Sequence, residues 1–339
     1  MREESVRQVD DLFYHSYFLP FENGQELHLQ RIYCRTDGPV AFMVHGSVGN
    51  GRIFYSLNGK GLAPFLARQG YDTFIVDLRG RGRGNPPVDR HARYGQTEAI
   101  CEDLPTCLRF IESLRENAPW HWVAHSWGGI LLMSMLARFP HWRPRIQAGV
   151  FFGSKRTIRL DSWKKRFALG FAWGVYGRLL VRWHGYVHGK HLGFGDDAET
   201  AKFFRQTGAW LGGSDWIDSD DRFDYGTAIR AMEPLPVLHF TGFADRVLAE
   251  AGDVRRFIQE CGGEGSELRI LGKTTGARNN YGHNDILTHP DAVEDHFPDV
   301  LTWFREHDTR PTGRSSRVEE TAEATVDGAR QSLPHGSDL

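Results

Sequence analysis

The sequence predicts an α/β protein with a mostly parallel central sheet flanked by helices. Short apolar runs of strand length recur along the chain, and each is followed by a stretch with helical spacing. Parallel strands need a crossover connection, usually a helix, so this alternation indicates right-handed βαβ units. The rhythm breaks between residues 155 and 232, which indicates an insertion into the sheet topology.

The first part of the chain, to about Cys34, is predicted to form a strand or a hairpin. Residues 13–34 alternate between apolar and polar side chains on both sides of Glu22-Asn23-Gly24, which is a turn signal. Strands and helices then alternate up to residue 154. The predicted strands cover 38–46, 71–80, 121–126 and 146–154, and the predicted helices lie around 61–69, along the face of Leu104, Leu108, Ile111 and Leu114, and over 127–139 before Pro140.

The second half contains the insertion and the end of the sheet. Residues 155–232 are rich in Trp, Phe, Tyr, Gly and Arg and have helical spacing without a clear strand, so we expect a mainly helical cap there. The alternation then resumes. The predicted strands cover 235–245 and 266–271, and the predicted helices cover 249–259 and 291–306, the last with Val293, Phe297, Val300, Leu301 and Phe304 on its apolar side.

These patterns divide the chain into three parts. We expect one core made of residues 1–154 and 233–307, and a cap or lid made of residues 155–232. Residues 308–339 contain almost no large apolar side chain. Because such a segment cannot bury a face, we expect a disordered tail.

Composition and charge exclude several classes of function. The 339 residues include 41 basic and 43 acidic side chains, and a formal charge of −2 argues against a nucleic-acid partner. No apolar run reaches the roughly 18–20 residues of a membrane-spanning helix. The opening residues MREESVRQVDD lack an apolar stretch, so a secretory signal is not expected. The four cysteines have neither disulfide-framework nor metal-ligand spacing, so the cytoplasm is the expected location.

A serine at a strand-to-helix junction is the first candidate catalytic residue. Ser126 ends a predicted strand and precedes a predicted helix, with Ala124 two positions before it and Gly128 two positions after it. Small residues at these positions permit a strained turn, the nucleophile elbow, which exposes the hydroxyl at a helix N-terminus where a developing anion is stabilised. Glycine is usual at the first small position, and a plain serine N-cap is the alternative.

A second motif predicts the donors that would stabilise an oxyanion. His45-Gly46 ends an apolar run and is followed by Ser47 and a glycine-containing loop. We expect the backbone N–H groups of Ser47 and Trp127 to form an oxyanion hole, in which losing one donor typically costs roughly 3 kcal/mol of transition-state stabilisation. Alone, a His-Gly pair also fits a strand end followed by a turn.

Chain order supplies the remaining candidates. Asp245 follows a late strand, and His283 lies in a polar loop before the last helix, which gives the order serine, aspartate, histidine. His283 would accept the proton of Ser126 while Asp245 orients the imidazole. Asp285 competes as the acid but fits a loop or helix cap better, and Asp77 is expected to brace the arginine-rich loop that follows it.

These segments resemble the α/β-hydrolase superfamily over about residues 25–307, with a cap between the sixth and seventh sheet strands. The matching segments are VHGSVGNGR, DLRGRGRG, AHSWGG, FTGFADRV and YGHNDIL. The resemblance implies the serine-nucleophile branch, closest to esterases, lipases and serine aminopeptidases. Serine at the elbow excludes the aspartate nucleophile of the haloalkane dehalogenase and epoxide hydrolase branches.

The cap is expected to select the substrate. Its aromatic side chains would form an apolar lid over the serine, although packing the cap onto the core explains them equally well. An interfacial surface that touches lipid is a further possibility, because arginines accompany the aromatic side chains. The candidate substrate contacts are His45, Gly46, Val48, His125 and Trp173.

A metal site is not expected. His184, His188 and His191 have a spacing that would align three rings on one helix. Gly185 and Gly189 interrupt that helix, however, and no carboxylate completes a ligand set.

The chemistry expected from these residues is hydrolysis of a carboxylic ester with an apolar acyl or alcohol part, without metal or organic cofactor. Peptide or amide cleavage, or acyl transfer to another acceptor, would use the same residues. The resemblance implies that an aminopeptidase would usually have an acidic cluster in the cap for the substrate amine, and this cap offers four candidates. A non-catalytic hydrolase-fold protein that binds a small apolar ligand is a third hypothesis. The four acidic candidates are Asp218, Asp220, Asp221 and Asp224.

Overall fold

The fold was examined in a computed structural model, which describes residues 1–159, 174–192, 195–213 and 215–308. Trp173 and residues 309–339 of the expected tail therefore lie outside the described residues. Within them, no helix is long and apolar enough to cross a membrane.

A central sheet carries the fold, and it is parallel in its larger part as predicted. In the described part of the chain ten strands form this sheet, in the spatial order β1-β3-β4-β6-β5-β7-β8-β11-β12 with β2 paired to β3. In this spatial order, all neighbouring pairs from β6 to β12 are parallel. The pairs that involve β1, β2, β3 or β4, including β4 with β6, are antiparallel. The strands of this sheet are β1 (Arg2–Glu3), β2 (Arg7–Val9), β3 (Leu12–Pro20), β4 (Glu26–Tyr33), β5 (Val40–Val44), β6 (Asp72–Asp77), β7 (Trp120–His125), β8 (Ile146–Phe152), β11 (Val237–Gly242) and β12 (Glu267–Leu271).

Helices connect the parallel strands and cover both faces of the sheet. Each face carries its own cluster of buried apolar side chains. The described helices are α1 (Leu62–Arg68), α2 (Gln96–Glu98), α3 (Leu104–Leu114), α4 (Trp127–Arg138), α5 (Gly177–His184), α6 (Gly189–Leu192), α7 (Ala201–Gly212), α8 (Tyr225–Ala231), α9 (Ala251–Glu260), α10 (Asp285–Thr288), α11 (Ala292–Asp295) and α12 (Phe297–His307).

The segment between β8 and β11 is mainly helical where it is described, but it is not free of strands. Residues Tyr186–His188 (β9) and Ala198–Thr200 (β10) pair antiparallel as a separate two-stranded sheet. Strands of three residues are too short to show an alternating pattern, which is why the sequence predicted none there. The boundaries 155 and 232 of the expected cap stay a prediction.

Two other expectations were wrong in detail. Leu114 was placed on the apolar face of its helix but is 40% exposed, because α3 ends at this residue. Val293 is 39% exposed and belongs to α11, since His296 separates that short helix from α12. In both cases the periodic pattern was extended one turn beyond the part of the helix that packs on the sheet.

The candidate site residues meet at one edge of the sheet. The parallel strands end together there, so the residues that follow β5, β7, β8, β11 and β12 come close in space although they are distant in the chain. Open α/β sheets place their binding crevices at this carboxyl edge.

The opposite end of the sheet carries a buried ion pair. Asp72, which is fully buried at the start of β6, accepts two hydrogen bonds from Arg31 at 2.8 and 2.6 Å and a third from Arg115. Removing the charge of one partner leaves the guanidinium groups buried without compensation.

We therefore expect Asp72→Asn to lower the free energy of unfolding by about 3 kcal/mol, measured by urea denaturation. The matched control is Asp37→Asn, which breaks an ion pair between the exposed side chains of Arg35 and Asp37 and should leave the midpoint unchanged. Equal effects of the two substitutions would contradict the importance of the buried pair.

Candidate active site

Ser126 lies in a strained turn between β7 and α4. Its backbone has φ +52° and ψ −119°, a conformation that residues with a side chain rarely adopt. Its N–H donates to the carbonyl of Phe152 at 2.7 Å, which ties the turn to β8. A Cβ at residue 128 would lie 2.2 Å from the carbonyl oxygen of Val44, so only glycine lets α4 begin this close to β5.

The structure brings Ser126, His283 and Asp245 together. The Ser126 hydroxyl lies 2.9 Å from Nε2 of His283, and Nδ1 of the same ring lies 2.6 Å from Oδ2 of Asp245. Burial would raise the pKa of Asp245, but the hydrogen bond and charge of His283 and the charge of Lys155 together lower it to about 2. The carboxylate therefore stays ionised and accepts the Nδ1 proton, which leaves Nε2 free to accept the serine proton.

Two neighbours hold His283 in place. His125 has its Nε2 3.0 Å from the carbonyl oxygen of His283. Burial and the charge of His283 lower the pKa of His125 to about 3, so its ring is neutral and donates this hydrogen bond. Gly153 lies under the ring, where a Cβ would be 3.1 Å from Cε1 of His283. His125, predicted to contact substrate, therefore also positions the histidine backbone.

The loop after β5 is locked by the ring of His45. Nδ1 of His45 lies 2.8 Å from the carbonyl oxygen of Gly46, and Nε2 accepts the N–H of Leu78 at 3.3 Å. Burial, with the charge of Arg81, lowers the pKa of His45 to about 4, so the ring is neutral. Both ring nitrogens are thus engaged within the protein. Gly46 passes directly over the serine, since a Cβ there would lie 2.8 Å from Cβ of Ser126.

The two expected oxyanion donors line the same cavity as Ser126. Trp127 is the first residue of α4, and the first N–H groups of a helix have no carbonyl partner within it. Ser47 follows Gly46, which passes close to Ser126, and it lines the cavity together with Trp127. Anions are favoured at such a terminus, so the arrangement can receive a carbonyl oxygen that gains charge.

A carboxylate from the β8–β11 segment supports this loop. Glu199 is fully buried and accepts the N–H of Val48 at 2.6 Å and a guanidinium N–H of Arg81 at 2.5 Å. Val48 has φ +50°, so its strained backbone is held by a charge-assisted hydrogen bond. Beside it, Asp197 accepts from Asn50 at 2.5 Å. We call the residues Asp197 to Glu199 the loop clamp.

The cavity at this edge has a volume of about 350 Å³. Its lining is mixed, and residues of the β8–β11 segment contribute part of it. Of the five expected substrate contacts, His45, Gly46 and His125 line it, Val48 is buried behind the loop at 1% exposure, and Trp173 lies outside the described residues. The described lining residues include Ser47, Arg52, Ile53, Ser126, Trp127, Lys155, Ile158, Asp196, Thr207, Leu211, Leu248 and His283.

Comparison with known proteins identifies the fold. A family model described as the alpha/beta hydrolase fold matches residues 39–181. The chain has the α/β-hydrolase fold. A curated relative, the probable lysophospholipase L2 of Haemophilus influenzae, is 26% identical over 92 residues, which are 27% of this chain and 29% of that protein. The chain therefore matches less than a third of that relative.

Solved structures with this fold align over most of the chain. A soluble variant of the monoglyceride lipase of Saccharomyces cerevisiae, in complex with a substrate analogue, aligns with a TM-score of 0.64 and 17% identity, covering 90% of this chain and 98% of that one. An esterase of Pyrococcus furiosus aligns with a TM-score of 0.56 and 14% identity, covering 87% and 90%. At these identities the likeness concerns the fold.

Within the α/β-hydrolase fold, the competing acids have other partners. Asp285 begins α10 and accepts the N–H of Gly282 at 2.5 Å. Asp77 accepts the backbone N–H groups of Gly51 at 2.6 Å and Arg83 at 3.0 Å, so it braces the arginine-rich loop as expected.

A second group of serine, histidine and aspartate occurs in this chain, but its serine lacks the properties of a nucleophile. Nε2 of His28 lies 3.1 Å from the hydroxyl of Ser16, and its Nδ1 lies 2.8 Å from Asp77. Ser16 donates its own proton to Gln30 at 3.1 Å and accepts from Arg83. The serine proton therefore points away from the histidine, and these residues do not line the cavity.

The histidines of the cap do not share one helix. Gly185 ends α5 in a left-handed conformation, β9 follows, and α6 begins at Gly189. Among the described residues, no group of three or more His, Cys, Asp or Glu side chains could hold a metal ion.

Three charged residues of the site were missed in the sequence. Glu199 and Arg81 lie 118 positions apart, so no local pattern could pair them. Lys155 was not recognised as a site residue because it is the first residue of the expected cap. Its position directly after β8, at the carboxyl edge of a parallel strand, is the signal that could have identified it.

We expect Glu199→Ala to loosen the loop after β5, because Val48 loses its acceptor and Arg81 is left buried without a counter-charge. Amide hydrogen exchange over residues 45–52 should accelerate, and the free energy of unfolding should fall by about 3 kcal/mol. Glu102→Ala is the control, since Arg79 retains Asp103 as its partner there. Unchanged exchange of the loop in Glu199→Ala would contradict the clamp.

Proposed function

We propose that this protein hydrolyses carboxylic esters through a covalent acyl-enzyme on Ser126. One observation supports this proposal above the others: the Ser126 hydroxyl and the Asp245 carboxylate lie within hydrogen-bond distance of the two nitrogens of His283, at 2.9 and 2.6 Å. A serine is an activated nucleophile when a histidine can take its proton and a carboxylate holds that histidine in the right orientation.

The first half of the reaction would acylate the serine. Ser126 Oγ attacks the ester carbonyl carbon while His283 Nε2 takes the hydroxyl proton. The carbonyl oxygen becomes an oxyanion, which the N–H groups of Ser47 and Trp127 stabilise. Asp245 stabilises the imidazolium that forms. The tetrahedral intermediate then collapses, the carbon–oxygen bond to the alcohol breaks, and His283 returns its proton to the leaving oxygen.

The second half would release the acid. Water replaces the alcohol at the same position and loses a proton to His283 as it attacks the acyl carbon. A second tetrahedral intermediate breaks the bond to Ser126 Oγ, and the serine recovers its proton from the imidazolium. The enzyme returns to its starting state without a metal or an organic cofactor.

Ester rather than peptide cleavage is favoured by what the acidic residues of the cap contact. Asp218 and Asp221 bind Arg138, at 3.1 and 2.6 Å, and Asp220 binds Lys202. Asp224 caps α8 by accepting the N–H of Thr227 at 2.9 Å. These four carboxylates are engaged elsewhere and do not line the cavity, so none of them is placed to bind a substrate amine. Asp196 of the same segment does line the cavity, so the comparison of amide with ester turnover decides this point.

The cavity also supports a substrate of moderate size with an apolar part. Ile53, Ile158, Leu211 and Leu248 line it together with Trp127. A volume of about 350 Å³ is near the small end of ligand sites. In this proposal residues 155–232 form the lid, since Ile158 and Leu211 face the serine from that segment.

We expect a fluorophosphonate probe to label the wild-type protein and Ser126→Ala to abolish the labelling, because the probe reacts with activated serine hydroxyls. The measurement is gel fluorescence of the labelled protein, followed by turnover of p-nitrophenyl esters of increasing acyl length.

Ser16→Ala is the matched control, since it removes the serine of the second arrangement and should leave labelling intact. Labelling that survives in Ser126→Ala would assign the nucleophile elsewhere. Fast cleavage of aminoacyl amides with slow ester turnover would transfer the function to a peptidase.

A further inference from the structure

Lys155 is a buried cation in the wall of the active-site cavity. It follows β8 by three residues and lines the same cavity as Ser126 and His283, with only 5% of its surface exposed. Lysine is almost never buried to this extent without a paired charge, because desolvating the ammonium costs several kcal/mol.

No described residue forms a hydrogen bond or an ion pair with the Lys155 ammonium. The neighbouring Arg156 shows the usual arrangement, since it binds Glu260 through two hydrogen bonds at 2.8 and 2.7 Å. Asp245 attracts Lys155 through space, but its carboxylate is occupied by His283 at 2.6 Å. The ammonium of this cavity-lining residue is therefore desolvated and has donors that no described residue uses.

The lysine still carries its charge at neutral pH. Burial lowers the pKa of Lys155 to about 8, and the charge of Asp245 acts in the opposite direction. Below that pH most molecules carry a positive charge at Lys155. This residue is buried to about the same extent as Ser126, with 5% and 8% of their surfaces exposed.

We propose that Lys155 binds an anionic group of the substrate, so that the preferred ester carries a carboxylate or a phosphate within a few bonds of the scissile carbonyl. This inference rests on the proposed ester hydrolysis. The free protein has already desolvated its cation, so an anion that enters the cavity gains a charge-assisted hydrogen bond without a further desolvation cost on the protein side. A neutral ester leaves the ammonium unpaired and is disfavoured.

The stability of a Lys155 variant distinguishes an anion-binding role from a purely structural one. A lysine kept for folding would be destabilising to replace, whereas an unpaired buried charge opposes folding. Lys155→Met keeps an unbranched side chain that is one atom shorter and removes the charge. We therefore expect this variant to unfold at a higher urea concentration than the wild type, which also shows that it folds.

The test compares charged esters with neutral partners of similar shape. One arm places the anion on the acyl side, with p-nitrophenyl hydrogen glutarate against p-nitrophenyl pentanoate. The other places it on the alcohol side, with 4-(butanoyloxy)benzoate against its methyl ester. The wild type should prefer the charged member in one arm, and that arm identifies the source of the anion.

Lys155→Met should lower kcat/KM for the preferred charged ester about tenfold more than for its neutral partner, because a loss that acts through the charge of Lys155 on Asp245 affects both esters alike. Lys60→Met removes an exposed lysine outside the cavity and is the control for net charge. An equal loss on charged and neutral esters would mean that Lys155 acts through Asp245, and no preference for a charged ester in either arm would also overturn the proposal.

The pH profile supplies a second readout. The charged-over-neutral ratio should fall as pH rises through about 8, where Lys155 loses its proton, and it should be flat in Lys155→Met. The other titratable groups around the cavity are Arg52, His125, Asp196 and His283, with Asp245 behind the last. Their effects on the common chemical step cancel in the ratio, and their direct effects on the charged ester are present in Lys155→Met as well, so the difference between the two profiles reports Lys155.

Failure of the ester proposal is distinguishable from failure of this inference. Absence of fluorophosphonate labelling counts against Ser126, and labelling without ester turnover counts against the reaction. In that second case, calorimetry with Ser126→Ala measures binding of monomethyl glutarate and of 4-acetoxybenzoate directly. Binding of either that is lost when Lys155→Met is added upholds the anion site, and binding of neither overturns it.

Discussion

The contact between α4 and β5 constrains everything else at the active edge. The helix starts so near the strand that a side chain at residue 128 would overlap the carbonyl of Val44. This proximity forces Ser126 into its positive-φ turn and directs the hydroxyl out of the sheet. The same turn places the first N–H groups of α4 beside the hydroxyl, so the proposed nucleophile and one proposed anion donor come from one piece of backbone.

The remaining groups are arranged by burial and by the common end of the parallel strands. Asp245 is ionised because His283 and Lys155 offset the cost of its burial. His125 is neutral because burial and the charge of His283 lower its pKa. Its neutral ring donates a hydrogen bond that fixes the carbonyl of His283. Neighbouring titratable groups thus hold different charge states because their partners differ.

The features that depend on local patterns could be predicted from the sequence. The fold class, the hairpin and the positions of Ser126, Asp245 and His283 follow from strand ends and chain order. The loop clamp could not be predicted, since Val48 and Glu199 are 151 positions apart and meet only in the folded chain. The three-residue strands β9 and β10 were missed because their pairing, and not their composition, defines them.

The loop clamp ties the segment between β8 and β11 to the loop that carries Ser47, one of the expected oxyanion donors. Asn50 and Val48 of the loop are bonded to Asp197 and Glu199 of that segment. Moving these residues away from the core would break the hydrogen bonds that hold the strained loop beside Ser126. In the proposed function, where this segment is the lid, substrate entry and the position of the proposed oxyanion donor are therefore linked, because opening the lid here would also free the loop.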